Sequence, residues 1–153
     1  ASHPRLEFGV GSQPQIQDIG ILGACRPATT HNECTRCEAC DEVCPETAVI
    51  LDNDVPVIDG LRCIACGKCV AVCPTETLVK GQTGYRVQLG GKLGRHPRLA
   101  LELPGIYDED GVVDIIRDCI AFYKAKSRNG KRFAELVSDA DVEAYGKTGR
   151  FPP

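Results

Sequence analysis

Two cysteine runs constrain this chain more than any other feature of its sequence. Each has the pattern C-x2-C-x2-C-x3-C-P, and Cys63 follows Cys34 by 29 residues, so residues 34–80 contain an internal repeat. Eight of the ten cysteines belong to these runs. Three thiolates at intervals of three residues are typical of ligands that surround one face of an inorganic centre. The cysteines and the prolines that end the runs are Cys34, Cys37, Cys40, Cys44 and Pro45 in the first, and Cys63, Cys66, Cys69, Cys73 and Pro74 in the second.

This spacing is the signature of bacterial two-cluster ferredoxins, in which the fourth cysteine of each run ligates the other cluster. The sequence therefore predicts two 4Fe-4S clusters and electron transfer between them. Because the fourth cysteines cross over, the two predicted ligand sets mix the runs. They are Cys34, Cys37, Cys40 and Cys73 for cluster 1, and Cys63, Cys66, Cys69 and Cys44 for cluster 2.

Zinc and disulfide bonds are the rival explanations for so many cysteines. Zinc usually takes four ligands in C-x2-C pairs, which two complete four-cysteine runs closed by proline do not resemble. A secreted disulfide framework is disfavoured by the tight triplets and by the lack of a signal-peptide pattern. We therefore expect a reducing compartment, the cytoplasm. Cys119 is predicted to be a buried structural thiol and Cys25 to lie in a loop, and neither is assigned to a metal.

Charge and hydropathy exclude two classes of partner. The net charge is -3 and the isoelectric point is near 5.6, which does not favour nucleic acid. No apolar run approaches the roughly 20 residues that a membrane-spanning helix needs. We expect neither a nucleic acid nor a membrane as partner.

Local patterns predict an α+β chain. In the cysteine region we expect a short helix within each run, at 40–44 and 69–73, and strands at 48–51, 55–58 and 78–79 with a turn at 52–54. Residues 81–84 are predicted to be a linker, 85–89 a strand and 99–103 one helical turn. A long helix is predicted from about 108 or 110 to 127, followed by short helices at 131–137 and 139–145. Isoleucines 16, 19 and 21 indicate a short buried strand or turn.

A glycine-rich loop at 90–97 carries three cationic or ionisable side chains, Lys92, Arg95 and His96. Flexible backbone and several donors suit an anion, such as a phosphate or a carboxylated cofactor. The loop lacks the G-K-[ST] ending of a phosphate-binding P-loop. A tight turn with solvated charges is the simpler interpretation of the loop taken alone.

The order of the flanking motifs resembles sirohaem sulfite and nitrite reductases. D-I-G-I-L-G at 18–23 precedes the cysteine runs, and Y-R-V-Q-L-G-G-K-L-G-R-H-P-R-L-A at 85–100 follows them. From about residue 18 to about residue 137, the chain is similar to the C-terminal part of the dissimilatory or anaerobic type of these reductases. In that type a ferredoxin domain interrupts the reductase domain. The resemblance implies a two-cluster bacterial ferredoxin module inserted in part of a sirohaem reductase α/β domain, with C-terminal helices. The implied divisions are an N-terminal reductase-like segment at 1–33, a 2x4Fe-4S ferredoxin domain at 34–80 and a reductase-like strand, glycine loop and helices at 81–153.

The resemblance also implies a function and partners. Such enzymes reduce sulfite to sulfide, or nitrite to ammonia, on a sirohaem bridged to its own 4Fe-4S cluster, and the ferredoxin insert feeds it electrons. Lys92, Arg95 and His96 match the loop that lies near the sirohaem. The family binds the sirohaem-linked cluster through cysteine pairs before and at the D-I-G segment, but residues 7–17 contain no cysteine. We expect a fragment or subunit that is catalytically incomplete alone and works with the remainder of a reductase and a redox partner protein. The alternative is a free-standing ferredoxin-like carrier with a C-terminal docking extension; an inert cluster-stapled interaction module is a third.

Overall fold

The computed structural model describes residues 6–10 and 13–153. Residues 1–5, 11 and 12 of the predicted N-terminal segment lie outside the described residues. The fold is α+β, as the sequence predicts, with six strands, five α-helices and one short 3-10 helix among the described residues. In chain order these are β1 (Phe8–Val10), the 3-10 helix (Pro14–Ile16), β2 (Ile19–Thr29), α1 (Ala39–Glu42), β3 (Val49–Asp52), β4 (Val55–Ile58), α2 (Lys68–Val72), β5 (Leu78–Leu89), β6 (Leu101–Glu102), α3 (Glu109–Lys126), α4 (Phe133–Leu136) and α5 (Asp139–Thr148).

Two sheets organise the strands. The larger has the order β1-β2-β5-β6. Its strand β1 runs parallel to β2, with Phe8 opposite Ile19, whereas β6 runs antiparallel to β5, with Glu102 opposite Gln88. The smaller sheet is the antiparallel hairpin of β3 and β4. Its turn residues Asn53 and Asp54 both have positive φ, which matches the twist of a two-residue hairpin.

The contacts divide the chain into two compact units. Ala24–Gly84 forms one, which we call the cysteine unit, and it includes the predicted ferredoxin domain, 34–80. The described parts of Ala1–Gly23 together with Tyr85–Pro153 form the other, the helical unit. Strands β2 and β5 each begin in one unit and end in the other, so the chain enters and leaves the cysteine unit along strands that are neighbours in the sheet.

The helical unit has a conventional apolar core. Helix α3 begins after Asp108, whose side chain accepts a hydrogen bond from the Gly111 N–H, and it ends with Lys124 and Lys126 in its last turn, as the charge pattern predicts. Five of its side chains are buried against the sheet and the two short helices. The rings of Phe122, Phe133 and Phe151 pack against one another in edge-to-face and tilted arrangements. The buried residues of the core are Ile19, Ile21, Val87, Leu89, Leu103, Val112, Ile115, Cys119, Phe122, Tyr123, Phe133, Val137, Val142 and Tyr145.

Three local predictions are wrong, and strand pairing explains each of them. The expected linker 81–84 is the middle of β5, where Gly81 has no side chain and lies close to the Arg26 carbonyl and Ala28 of β2. The expected helical turn 99–103 contains β6, which is held against β5. Cys25, expected in a loop, lies within β2. In each case the partner strand is distant in sequence, so local patterns did not show it.

A buried carboxylate ties the start of the helical unit to its C-terminal helices. Asp18 is completely buried, accepts hydrogen bonds from the Glu7 and Ala134 N–H groups, and lies 3.2 Å from the Arg132 guanidinium. Arg132 also pairs with Glu7 at 2.7 Å. Burial lowers the pKa of Arg132, but the two carboxylates outweigh it and raise the pKa above its ordinary value. The guanidinium therefore keeps the charge that compensates the buried carboxylate.

Among the described residues, no helix combines the length and the apolar composition needed to cross a membrane.

Candidate iron–sulfur site

The two cysteine runs adopt the same backbone, one repeat apart. Residues 34–40 form the first loop and residues 63–69 the second. Positive φ recurs at three pairs of positions separated by 29 residues, which are Arg36 and Ala65, Glu38 and Gly67, and Thr47 and Glu76. Helices α1 and α2 begin at equivalent positions, Ala39 and Lys68. The repeat in the sequence is thus a repeat of backbone conformation, with each loop turning through left-handed residues before a short helix.

Within each loop the three cysteines lie close enough to affect each other's ionisation. Burial raises the pKa of Cys69 to about 11; N–H groups partly offset it, and negative charge on Cys63 and Cys66 adds to the rise. Burial likewise raises the pKa of Cys40, with Cys34 and Cys37 as the repelling neighbours. Burial therefore favours the neutral thiols of Cys40 and Cys69, and the iron of a cluster would supply the positive charge that stabilises their thiolate forms.

One cavity collects the four cysteines predicted for cluster 2. Its wall includes Cys63, Cys66 and Cys69 of the second run together with Cys44, the last cysteine of the first. Apolar residues, Gly67 and Glu46 complete the wall, and little of the surface that faces the cavity is polar. The residues fit a thiolate-bound cluster, because four soft ligands from both runs surround one space.

The cysteines predicted for cluster 1 are placed by symmetry-related elements. Cys40 is buried in α1, and Cys73 packs at the same small apolar cluster, which includes Val49 and Leu78. Burial raises the pKa of Cys73, but hydrogen bonds from the Leu78 N–H and from Thr75 outweigh it and leave the pKa below its ordinary value. The thiolate of Cys73 is therefore favoured by its surroundings.

Backbone N–H groups point at three of the sulfurs. The Ala48 N–H lies 3.2 Å from Cys44 Sγ, and the Leu78 N–H lies 3.4 Å from Cys73 Sγ. The Arg36 N–H makes a similar contact to Cys34 Sγ at 3.4 Å. Such donors stabilise negative charge on sulfur, and they are one of the means by which proteins set cluster potentials.

No group of three or more His, Cys, Asp or Glu side chains in residues 6–10 and 13–153 has the geometry to hold a single metal ion. The cysteines of a four-iron cluster each bind a different iron, so they do not converge on one point.

Sequence reasoning missed the place of Cys25. In β2 its N–H donates to the Ala65 carbonyl at 2.7 Å, and Cys25 and Cys66 face each other in a parallel β-bridge. A Cβ added to Gly67 would lie 3.0 Å from Cys25 Cβ and 3.4 Å from its Sγ. No local sequence signal joins residues 25 and 66, because the contact depends on strand pairing. Cys119 is completely buried in α3, as predicted, and burial raises its thiol pKa far above the ordinary value, with Asp118 adding to the effect.

The predicted basic loop is the exposed end of a small hairpin. The N–H and carbonyl groups of Lys92 and Arg98 pair across its base at 2.9 and 3.0 Å. Arg95 and His96 are exposed and have no hydrogen bond or ion pair with any residue of 6–10 or 13–153. Lys92 is half-buried and is one of the cations that, after the Arg132 N–H, lower the pKa of Glu135. The three residues thus share one loop, but only Arg95 and His96 are exposed.

Arg98, which the sequence did not single out, has a structural role. Its guanidinium donates to the carbonyls of Ala134 and Val137 at 3.2 and 2.8 Å, and it pairs with Asp139 at 2.6 Å. It therefore joins the base of the basic loop to the end of α4 and the start of α5.

Comparison with known families identifies the family of the chain. The nitrite and sulphite reductase 4Fe-4S domain matches residues 12–147, which is most of the chain. The chain belongs to this nitrite and sulphite reductase family. Membership makes it an iron–sulfur cluster-binding protein related to sulfite reductases, as the flanking motifs indicate.

Individual relatives divide into two kinds. Ferredoxin-1 of Chlorobaculum tepidum is 42% identical over 55 residues, which cover 32% of this chain and 89% of the ferredoxin. The coenzyme F420-dependent sulfite reductase of Methanocaldococcus jannaschii is 31% identical over 135 residues, which cover 88% of this chain and 22% of that enzyme. Among solved structures, a chain of dissimilatory sulfite reductase I has the same fold over 95% of this chain, with a TM-score of 0.62 and 14% identity. This chain spans 43% of that structure's chain.

Proposed function

We propose that this member of the nitrite and sulphite reductase family relays electrons through two 4Fe-4S clusters as part of a sulfite or nitrite reductase. In this proposal the relay feeds a sirohaem centre that is supplied largely outside the chain. The observation that carries the proposal is the cavity in which Cys44 meets Cys63, Cys66 and Cys69, because it assembles a complete ligand set from both runs. The reductase-like flanks and the match over residues 12–147 support the reductase context.

The proposed ligands follow from the crossing of the two runs. Cluster 2 is held by Cys63, Cys66, Cys69 and Cys44. Cluster 1 is held by Cys34, Cys37, Cys40 and Cys73, which occupy the equivalent positions one repeat earlier or later. When bound, each cluster accepts and releases one electron at a time.

The chain's own residues set the conditions for that transfer. The N–H groups of Ala48 and Leu78 stabilise negative charge on Cys44 and Cys73, the two sulfurs that cross between the runs. The buried residues Cys40 and Cys69 remove one side of each ligand set from water. A low-dielectric environment of this kind shifts the reduction potential of a bound cluster. It also limits the rearrangement of solvent that accompanies electron transfer.

Iron and acid-labile sulfide per chain test the cluster assignment. We expect about eight of each in anaerobically purified protein, since each four-iron cluster contains four of both. Cys44→Ser is expected to damage the cluster held by Cys63, Cys66 and Cys69, whereas Cys73→Ser is the matched variant for the other cluster. The EPR spectrum of each reduced variant identifies the signal that is lost. A wild-type protein with far fewer than eight irons contradicts the assignment, and loss of the cluster of the same run contradicts the crossover.

The basic loop is proposed to contact the acidic side chains of sirohaem in the assembly that holds this cofactor. The exposed Arg95 and His96 support this role, because neither pairs with a described residue, and Lys92 lies at the base of the same loop. Arg95→Ala is expected to weaken sirohaem binding by that assembly, as measured by titration of the sirohaem absorbance. Unchanged affinity removes Arg95 from the cofactor site. Expected partners are the remainder of a reductase and a redox protein, in a reducing compartment such as the cytoplasm, where thiolate ligands persist.

A free-standing electron carrier is the second candidate function. The observation that favours it is the length of the ferredoxin relative, of which 89% aligns with only 32% of this chain. About a third of this chain is thus comparable to nearly the whole of a ferredoxin. Co-purification from the native source distinguishes the two functions, because a subunit or segment of a reductase remains with sirohaem and a carrier does not.

A further inference from the structure

Cys25 lies against the second loop although it belongs to neither cysteine run. It faces Cys66 in a parallel β-bridge, and its N–H donates to the carbonyl of Ala65 at 2.7 Å. Paired strands are about 4.8 Å apart, and side chains at opposed positions of a parallel pair project to the same side. Cys25 and Cys66 are therefore neighbouring residues across this bridge.

Cys25 adjoins two residues that line the cluster 2 cavity, Cys66 and Gly67. A Cβ on Gly67 would be 3.4 Å from Cys25 Sγ, so the sulfur lies against the backbone that carries the ligands. Gly67 and Cys66 both line the cavity, as does Pro27, two residues after Cys25 in β2. The four predicted ligands line the cavity, and Cys25 contributes a further thiol beside two of its lining residues.

We propose that Cys25 is a substitute ligand of cluster 2 that binds its iron when Cys66 does not. The inference rests on the proposed function, since it requires the second cluster. In the exchange, Cys66 leaves the iron and takes up a proton. Cys25 releases a proton to water and binds the same iron through its thiolate. The iron keeps four ligands and no electron is transferred, so no oxidant or reductant is needed.

The first loop provides the matched control. Cys37 occupies the position equivalent to Cys66, and both side chains are exposed. In the described residues no cysteine outside the runs faces Cys37. The remaining one, Cys119, is completely buried in the core of the helical unit. The two positions therefore share a backbone and differ in the presence of a further thiol.

Alanine substitutions test the proposal, because alanine offers no ligand atom. In the 153-residue chain, purified anaerobically, Cys66→Ala is expected to keep about eight irons and both EPR signals. Cys37→Ala is expected to fall to about four irons with one signal. The double variant Cys25→Ala/Cys66→Ala is expected to lose cluster 2 as well, whereas Cys25→Ala alone keeps both clusters. The g values of cluster 2 are expected to change in Cys66→Ala, since the ligand geometry differs.

Each result bears on a different claim. If Cys66→Ala loses half of its iron as Cys37→Ala does, the substitute-ligand role is wrong and the proposed function stands. If the double variant keeps eight irons, Cys25 is not the replacement. Failure of Cys66→Ala to accumulate when Cys37→Ala does also counts against the role. A wild-type protein that binds no second cluster contradicts both this inference and the proposed function.

Discussion

The cysteine unit and the helical unit bury different kinds of core. In the helical unit fourteen apolar residues, including four aromatic side chains, form one cluster. In the cysteine unit the corresponding cluster has four buried members, and two of them are the cysteines Cys40 and Cys69. The sixty-one residues of the cysteine unit therefore have a thin apolar core, and we expect the iron–sulfur clusters to link its elements in place of a larger one. The two units are therefore expected to respond differently to loss of iron, to loss of apolar volume and to acid.

Removal of iron is expected to have the largest effect, and it is confined to one unit. Chelation of iron under oxidising conditions leaves the cysteine unit with its small apolar cluster, which is insufficient to offset the conformational entropy of its loops. We expect amide hydrogen exchange to become unprotected throughout α1, α2 and the hairpin of β3 and β4. Helix α3 is expected to retain its protection and serves as the internal control. If the amides of the cysteine unit stay protected without iron, the claim that clusters hold this unit together is wrong.

Loss of apolar volume is expected to affect the other unit. Phe133 is completely buried, and its ring packs edge-on against that of Phe122 at 5.9 Å between centroids. Phe133→Ala is expected to lower the free energy of unfolding of the helical unit by about 3–5 kcal/mol, because the lost transfer energy is added to that of a cavity. Urea denaturation followed by circular dichroism measures the change.

Two controls accompany that substitution. Val113 lies on α3 with half of its surface exposed, so Val113→Ala is expected to change stability by less than about 0.5 kcal/mol. The iron content of Phe133→Ala is expected to equal that of the wild type. If Phe133→Ala instead loses iron while the helical unit keeps its stability, the claim that Phe133 stabilises only the helical unit is wrong.

Acid gives the smallest expected difference, through a surface pair of the helical unit. Partial burial raises the pKa of Glu102, but hydrogen bonds from Arg86 and Gln88 and the charge of Arg86 outweigh it and lower the pKa. The Arg86 Nε atom lies 2.6 Å from Glu102 Oε1. Because the folded-state pKa lies below that of the unfolded chain, the pair stabilises the fold fully above the unfolded value. That contribution is lost as the pH falls through the folded-state pKa, below 4.5.

Glu102→Gln isolates this contribution. The carboxylate is about one-third exposed, so we expect the variant to be less stable by only about 0.5 kcal/mol at pH 7. The difference from the wild type is expected to shrink as the pH falls below 4.5. Acid also releases clusters from both proteins, so the difference between the two stability curves is the quantity to measure. A constant difference from pH 7 to pH 3 would show that Glu102 acts through packing and not through charge.

Local signals predicted the parts of this fold that depend on neighbours in sequence. The cysteine spacing predicted the repeated loops and their short helices, and the charges at 108–110 and 124–126 predicted both ends of α3. The hairpin turn at 52–54 was predicted because Asn and Asp tolerate positive φ. In each of these cases the physical cause lies within a few residues.

Contacts between distant residues account for what the sequence did not reveal. Strand β6 forms because Glu102 and Leu101 meet β5, and β5 is continuous because Gly81 allows close approach of β2. Asp18 finds the Ala134 N–H 116 residues further along the chain. The position of Cys25 beside Cys66 is of the same kind. Residue patterns indicate that such groups are present, but only the pairing of strands and helices determines which of them meet.

The two ends of the cysteine unit lie on the neighbouring strands β2 and β5. Residues near its two ends, Ala28 and Gly81, are in contact, so the ends of the unit lie close together. A segment with adjoining ends adds little loop-closure entropy to the sheet that receives it. Insertion or removal of the whole segment, with its ends in β2 and β5, would therefore add or remove an electron-transfer path. The remaining strands would keep their pairing. The close approach of the β2 and β5 backbones at Gly81 is the structural feature that makes such an exchange possible.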